Sequence, residues 1–125
     1  MSGLTPDSGA LIAFERNDCA VVAIIFQALQ PGHRFAIPAG VVAQVWRGGR
    51  QQVRLVRLLA SNLIEIESLD DRNARLAGQL CGATNTNDVI DASVVLCARK
   101  RGHGVLTSDV DDLRRLDPSL RYVAV

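Results

Sequence analysis

The chain reads as an α/β domain built on a mainly parallel sheet of roughly five strands, and three observations predict it. Short apolar runs alternate with longer helical patterns, the signature of βαβ units. Gly and Pro punctuate the joins, at Gln30-Pro31-Gly32, Gly48-Gly49, Gly82 and Arg101-Gly102. With 125 residues, 48% of them hydrophobic and 22% charged, one domain over residues 1–125 buries enough apolar surface to fold without disulfides or a structural metal.

The strands are expected in a brief stretch ending at Asp7, then at Arg34 to Pro38, Leu63 to Glu67, Gly104 to Thr107 and Arg121 to Val125. The first is the least regular, because Pro6 removes a ladder donor where pairing is wanted. Helical patterns fill the intervals at Ala10 to Glu15, Asp18 to Leu29, Gly40 to Trp46, Gln51 to Ala60, Asp70 to Cys81, Val89 to Arg101 and Val110 to Leu116. Several open on Ser, Asp or Asn, which cap the unpaired N–H groups of a first turn. Few aromatic residues are present, so the core must be aliphatic. Cys19 to Phe26 is apolar nearly all round, which predicts burial on more than one side, against the sheet and a partner or wholly within the domain.

The formal net charge of +1 gives no global field toward nucleic acid or membrane, so any such attraction must come from local patches. The longest apolar run, Cys19 to Phe26, is too short to span a bilayer, and no secretory leader pattern opens the sequence. Cys19, Cys81 and Cys97 follow no zinc or redox spacing and read as small buried hydrophobes, consistent with a cytoplasmic protein. No membrane association is expected.

The chemistry-bearing residues are acids. Asp7, Asp88, Asp91 and Asp109 recur where predicted strands end or helices begin, and in a parallel sheet such positions gather at the carboxyl edge where ligands bind. Clustered carboxylates repel one another unless a cation sits among them, and hard, oxygen-preferring Mg²⁺ or Mn²⁺ is the natural guest. Capping is the alternative for each. Asp88 suits a cap well, whereas Asp91 sits a turn inside the helix, where no cap is needed. Asp7 and Asp109 are open to either role.

Asp7-Ser8-Gly9-Ala10-Leu11-Ile12, Val42-Ala43-Gln44-Val45-Trp46-Arg47-Gly48-Gly49, Asp91-Ala92 with Cys97-Ala98 and Gly102, and Thr107-Ser108-Asp109 with Asp112-Leu113 occur in an order that resembles the PIN domain, specifically the VapC-type toxins of bacterial toxin-antitoxin pairs. The resemblance runs through nearly the whole chain. It implies a PIN-like three-layer α/β/α fold and a metal-dependent endoribonuclease, with Mg²⁺ or Mn²⁺ held by Asp7, Asp91 and Asp109 and assisted by Asp88. It also implies an RNA substrate, a cognate antitoxin that blocks the acidic site, and a toxin homodimer. The family's second acid is normally Glu, and here that slot holds Gln44, which can lend a carbonyl oxygen to a cation but no charge. The alternative is therefore a catalytically inactive PIN-like module that binds RNA or antitoxin. A second departure is Leu4-Thr5-Pro6, where the family has an apolar strand. A phospho-accepting receiver domain shares length and sheet type but needs a Lys after a late strand, and the only Lys, Lys100, falls on a helix.

Basic residues offer one further pattern. Arg47, Arg50, Arg54 and Arg57 recur at intervals of three, four and three, which along one helix makes a stripe able to hold RNA phosphates. A solvated helix face explains them too, and Gly48-Gly49 can break the stripe. Arg99-Lys100-Arg101 lies at a helix C-terminus, where cations offset the dipole. His33 and His103 sit in Gly-rich turns and read as solvent-facing, and Trp46 as a core or interface residue or a base-stacking one.

Overall fold

In the structure, a computed structural model that describes residues 3–125, the strands are β1 (Gly3–Pro6), β2 (Arg34–Pro38), β3 (Ile64–Glu67), β4 (Gly104–Thr107) and β5 (Tyr122–Ala124). They form one parallel sheet in the order β3-β2-β1-β4-β5. The helices are α1 (Ser8–Glu15), α2 (Cys19–Ala28), α3 (Ala39–Val45), α4 (Val53–Leu59), α5 (Asp71–Thr84), α6 (Val89–Arg101) and α7 (Val110–Leu116), with a 3₁₀ turn at Arg50–Gln52. The first two residues of the expected domain lie outside the described residues.

The order follows from chirality. Right-handed crossovers moving from β1 outward to β3 lay α1 to α4 on one face, and the return from β3 to β4 and on to β5 lays α5 to α7 on the other. Contacts agree, α1 meeting α2, α3 and α4 while α6 meets α5 and α7. The result is the expected three-layer α/β/α sandwich. Its core is aliphatic, with Leu11, Ile25, Ile37, Leu55, Val94, Val95, Val105 and Leu106 fully buried. Each such side chain contributes roughly 1.5–3 kcal/mol by leaving water.

Pro6 is accommodated by register. In a parallel strand successive N–H groups point to alternate neighbours, and the Asp7 N–H donates to the Leu106 carbonyl of β4 at 2.9 Å. The missing Pro6 donor therefore faces β2, beyond Leu4↔Phe35, the last β1–β2 pair in register.

Several expectations need correction. Helix α5 continues past Gly82 to Thr84 and ends at Asn85 in a left-handed conformation, because Leu80 and Cys81 still pack on the core one turn before the stop. Cys19 is exposed rather than buried, since it is the first residue of α2, beside the Asp18 cap. Helix α2 buries Val21, Ile25 and Ala28 against its own domain but leaves Phe26 57% exposed, so it is not sandwiched within the chain. Trp46 is exposed rather than in the core. His103 is buried, its Nδ1 3.1 Å from the Thr5 hydroxyl, because the turn after α6 folds back beneath β1.

The basic end of α6 does more than offset a dipole. Arg101, only 14% exposed, pairs with Glu65 at 3.0 Å and Glu67 at 2.7 Å, fastening α6 to edge strand β3. Arg99 pairs with buried Asp117 at 3.0 Å, which also accepts from the Ser119 N–H and hydroxyl. Among the described residues, no helix is long and apolar enough to cross a membrane.

Candidate functional site

The strand order reverses direction between β1 and β4, and two of the predicted acids sit just beyond the carboxyl ends of those strands. Such a switch point is where open α/β sheets bind ligands, because the loops diverge to opposite faces and leave a crevice. Asp7 follows β1 and caps α1, its Oδ1 accepting from the Ala10 N–H at 2.9 Å. Asp109, two residues beyond β4, caps α7 through the Asp112 N–H at 3.4 Å.

Thr107 joins them. Its hydroxyl donates to Asp7 Oδ2 and accepts from the Asp109 N–H at 2.8 Å, so one buried side chain fixes both acids relative to the sheet. A glycine makes the approach possible: a Cβ at Gly9 would stand 1.9 Å from the Ser108 Oγ, so only hydrogen lets α1 start this close to the β4 loop.

The third acid enters from the other helical layer. Asp88 caps α6 by accepting from the Asp91 N–H at 3.0 Å, and Asp91 lies half-buried one turn inside. Burial pushes the Asp91 carboxyl up to about 7, and the charges of Asp88, Asp7 and Asp112 add to the effect. Burial also raises Asp7, against the opposing bonds from Thr107, Ala10 and Ser108, with the Asp109 charge raising it further. Asp112 is raised by its hydrogen bond and charge interaction with Asp109. Asp7, Asp88, Asp91, Asp109 and Asp112 thus share one field. Burial and these neighbouring charges favour the protonated forms of Asp7 and Asp91, and the contact with Asp109 favours that of Asp112.

Asp7, Asp88 and Asp109 are each helix caps, their carboxylates accepting from first-turn N–H groups. Asp112 escaped the sequence reading as a site residue. Its signal was available, because Asp109–Asp112 repeats the cap-plus-three spacing of Asp88–Asp91. Asp88, Asp91 and Asp112 line a groove of about 420 Å³, closed by Asn85, Thr86, Asn87, Arg115 and Leu116.

Gln44 is exposed in the last turn of α3 and lies outside that groove. It sits one turn beyond Gly40, whose absent Cβ would stand 2.4 Å from Ile90 Cδ1, so α3 presses closely on the start of α6. Among the described residues its carboxamide has no hydrogen-bond partner.

The arginine stripe does not form. Gly48, at φ +76°, ends the run after α3, and Arg47 turns its guanidinium back onto the Ala43 and Trp46 carbonyls. Arg50 lies in the 3₁₀ turn. Arg54 and Arg57 flank an apolar groove with Phe14, Val22 and Phe26, apart from the acids.

The donor set suits a hard divalent cation, being all carboxylate oxygen with protonation equilibria that an ion would pull back down. Among the described residues, no three His, Cys, Asp or Glu side chains converge tightly enough to chelate an ion by themselves. A hard cation taken here would be held by one or two carboxylates and would keep several of its waters.

Fold and site together define a parallel, three-layer α/β domain with acids at the sheet's switch point. Among solved structures the chain is similar to VapBC2 from Rickettsia felis bound to a promoter DNA fragment, with TM-score 0.73 and 12% identity over 98% of each chain. It is also similar to VapBC-1 from nontypeable Haemophilus influenzae, with TM-score 0.70 and 14% identity over 98% of this chain and 97% of that one. A third likeness is to DNA-bound VapBC from Salmonella typhimurium, with TM-score 0.68 and 17% identity over 99% and 98%. At these identities the likeness is one of fold. No protein-family model matches the chain, and no curated protein does.

Proposed function

We propose that this protein is a metal-dependent endoribonuclease toxin of the VapC type, held in check by a cognate antitoxin in the cytoplasm and acting as a homodimer. The observation that carries the reading is the Asp7–Thr107–Asp109 tether at the switch point, facing an Asp91 whose carboxyl titrates near neutrality. The solved structures similar in fold are VapBC assemblies, two of them bound to DNA, which supports an antitoxin partner here.

In this reading Asp7, Asp91 and Asp109 hold Mg²⁺ or Mn²⁺, with Asp88 acting through water and Gln44 offering a neutral oxygen. The cation would supply charge for the scissile phosphate and lower the pKa of a bound water. The chain's own residues do the rest. Thr107 and the Ala10 N–H fix both oxygens of Asp7, so that carboxylate cannot rotate away. Asp91, whose carboxyl burial pushes up to about 7, would release its proton on holding the cation. Arg50 and Arg54 are exposed cations available to RNA phosphates.

A second reading, an inactive module that binds RNA or antitoxin, is favoured by one feature: Gln44 brings no charge to the slot where Glu is usual. Incubating structured RNA with Mg²⁺ and either the natural chain or Gln44→Glu separates the two. Cleavage by the natural chain supports the nuclease, and cleavage by Gln44→Glu alone identifies a weakened one. Intact RNA with both variants would leave the binding module.

A further inference from the structure

Trp46, the chain's only tryptophan, is 42% exposed, and a buried side chain fixes the turn that carries it. Gln52, only 4% exposed, makes all four hydrogen bonds counted for a carboxamide. Its oxygen accepts from the Arg47 and Gly48 N–H groups at 2.9 and 3.0 Å, and its amide donates to the Val45 carbonyl and to Glu15, both at 2.8 Å. The residues on either side of Trp46 are thus clasped from within. Left-handed Gly48, at φ +76°, then turns the chain away and leaves the indole outside.

The charge around this turn has one sign. From Cys19 to Ile64 the sequence holds five arginines and no Asp or Glu, and Glu15, which reaches the turn from α1, is bonded to Gln52. Arg50 in the 3₁₀ turn and Arg54 in α4 are exposed, and among the described residues neither forms an ion pair. A rigid exposed ring beside free cations matches a ligand that alternates π faces with negative charges. Single-stranded nucleic acid is that ligand, since a base stacks on an indole whatever its sequence and the flanking phosphates meet Arg. A duplex keeps its base faces stacked on one another, and an acidic peptide supplies charge without the stacking face.

We propose that Trp46 is a stacking platform for one unpaired RNA base, with Arg50 and Arg54 taking the neighbouring phosphates and Gln52 positioning the turn. Helix α3 joins the platform to the acids: Gly40 packs on Ile90, the residue before Asp91, and Trp46 follows about 9 Å further along the helix axis. The platform rests on the RNA reading above for the identity of the polymer. It does not require cleavage.

A single tryptophan makes the test direct, because all indole emission comes from Trp46. Labelled oligoadenylate is titrated into the full chain in EDTA, so that nothing is cut, while strand anisotropy and tryptophan fluorescence are followed together. Fluorescence should be quenched in step with the anisotropy rise. Trp46→Ala should weaken binding about tenfold and Trp46→Phe should largely keep it, circular dichroism confirming that both variants fold. Replacing Arg50 and Arg54 together by Ala should reduce the salt slope by about 1.4. An RNA duplex and polyglutamate should leave the fluorescence unchanged. Quenching by polyglutamate as strong as by the oligonucleotide would overturn the platform in favour of an acidic protein partner. RNA binding with unquenched tryptophan, or undiminished in Trp46→Ala, would overturn the platform and leave the RNA reading in place, whereas no binding at all would remove both. Quenching without Mg²⁺-dependent cleavage would remove the nuclease and leave the platform.

Discussion

Replacing Asp91 by Asn removes a charge that the fold holds at a penalty, so the variant should be more stable than the natural chain in metal-free buffer. The carboxyl moves from 3.8 to about 7, a displacement of about three pH units. At 1.36 kcal/mol per unit this sets a ceiling of about 4 kcal/mol for a sealed group, and solvent at the groove wall reduces it to about 1–2 kcal/mol. The sign follows from proton counting. Between pH 3.8 and about 7 the folded state retains a proton that the unfolded chain has released, so stability falls as pH rises through that window and the whole penalty is present at pH 8. Asn cannot ionise. Urea unfolding in EDTA should therefore show Asp91→Asn gaining about 1–2 kcal/mol at pH 8 and roughly half of that at pH 5.5. Comparing variant with natural chain at each pH cancels the opposite trend from His103. A loss of stability at both pH values would refute the reasoning and make Asp91 a structural hydrogen-bonding residue.

Thr107→Val should cost about 2–3 kcal/mol, because it removes a bond to a buried carboxylate and the partner of the Asp109 N–H; an unchanged urea midpoint would dissolve the tether. Arg101→Met strips Glu67, itself only 11% exposed, of its main partner and should cost about 2–4 kcal/mol by chemical denaturation; a neutral result would mean water already serves those carboxylates. His103 is held below its ordinary range by burial and by the Arg101 charge, so its neutral form contributes stability above pH 6.5 that is lost as pH falls. Its ring resonance should titrate with a midpoint below 6.5, and a midpoint at or above that value would contradict the burial argument.

The sheet was legible because each strand is a short apolar run closed by a turn residue, and helix α6 because Asp88 and Gly102 mark its two ends. Asp7 and Asp109 were legible for the same reason, since each begins the helix that follows β1 or β4, and Asp91 was legible because it lies one turn inside α6, past the Asp88 cap. What periodicity could not carry was burial by distant parts of the chain. His103 looks like a turn residue until β1 crosses above it, and Cys19 looks like core until its helix proves to start at the surface. The arginine stripe failed locally, because one left-handed glycine at Gly48 redirects the chain and turns Arg47 back onto its own helix. The approach of α7 to the α5–α6 turn needed the fold, since the two meet only across the groove.

The central claim is that these carboxylates hold a divalent cation, and Mn²⁺ titration by calorimetry tests it most directly, run at pH 7 in two buffers of different ionisation enthalpy beside Asp7→Asn, Asp91→Asn and Asp109→Asn. The account predicts binding by the natural chain with proton release, because Asp91 must give up its proton near neutrality to meet the ion, and loss of binding in each variant. Binding that survives all three substitutions, or no heat from the natural chain and none from Gln44→Glu, would contradict it.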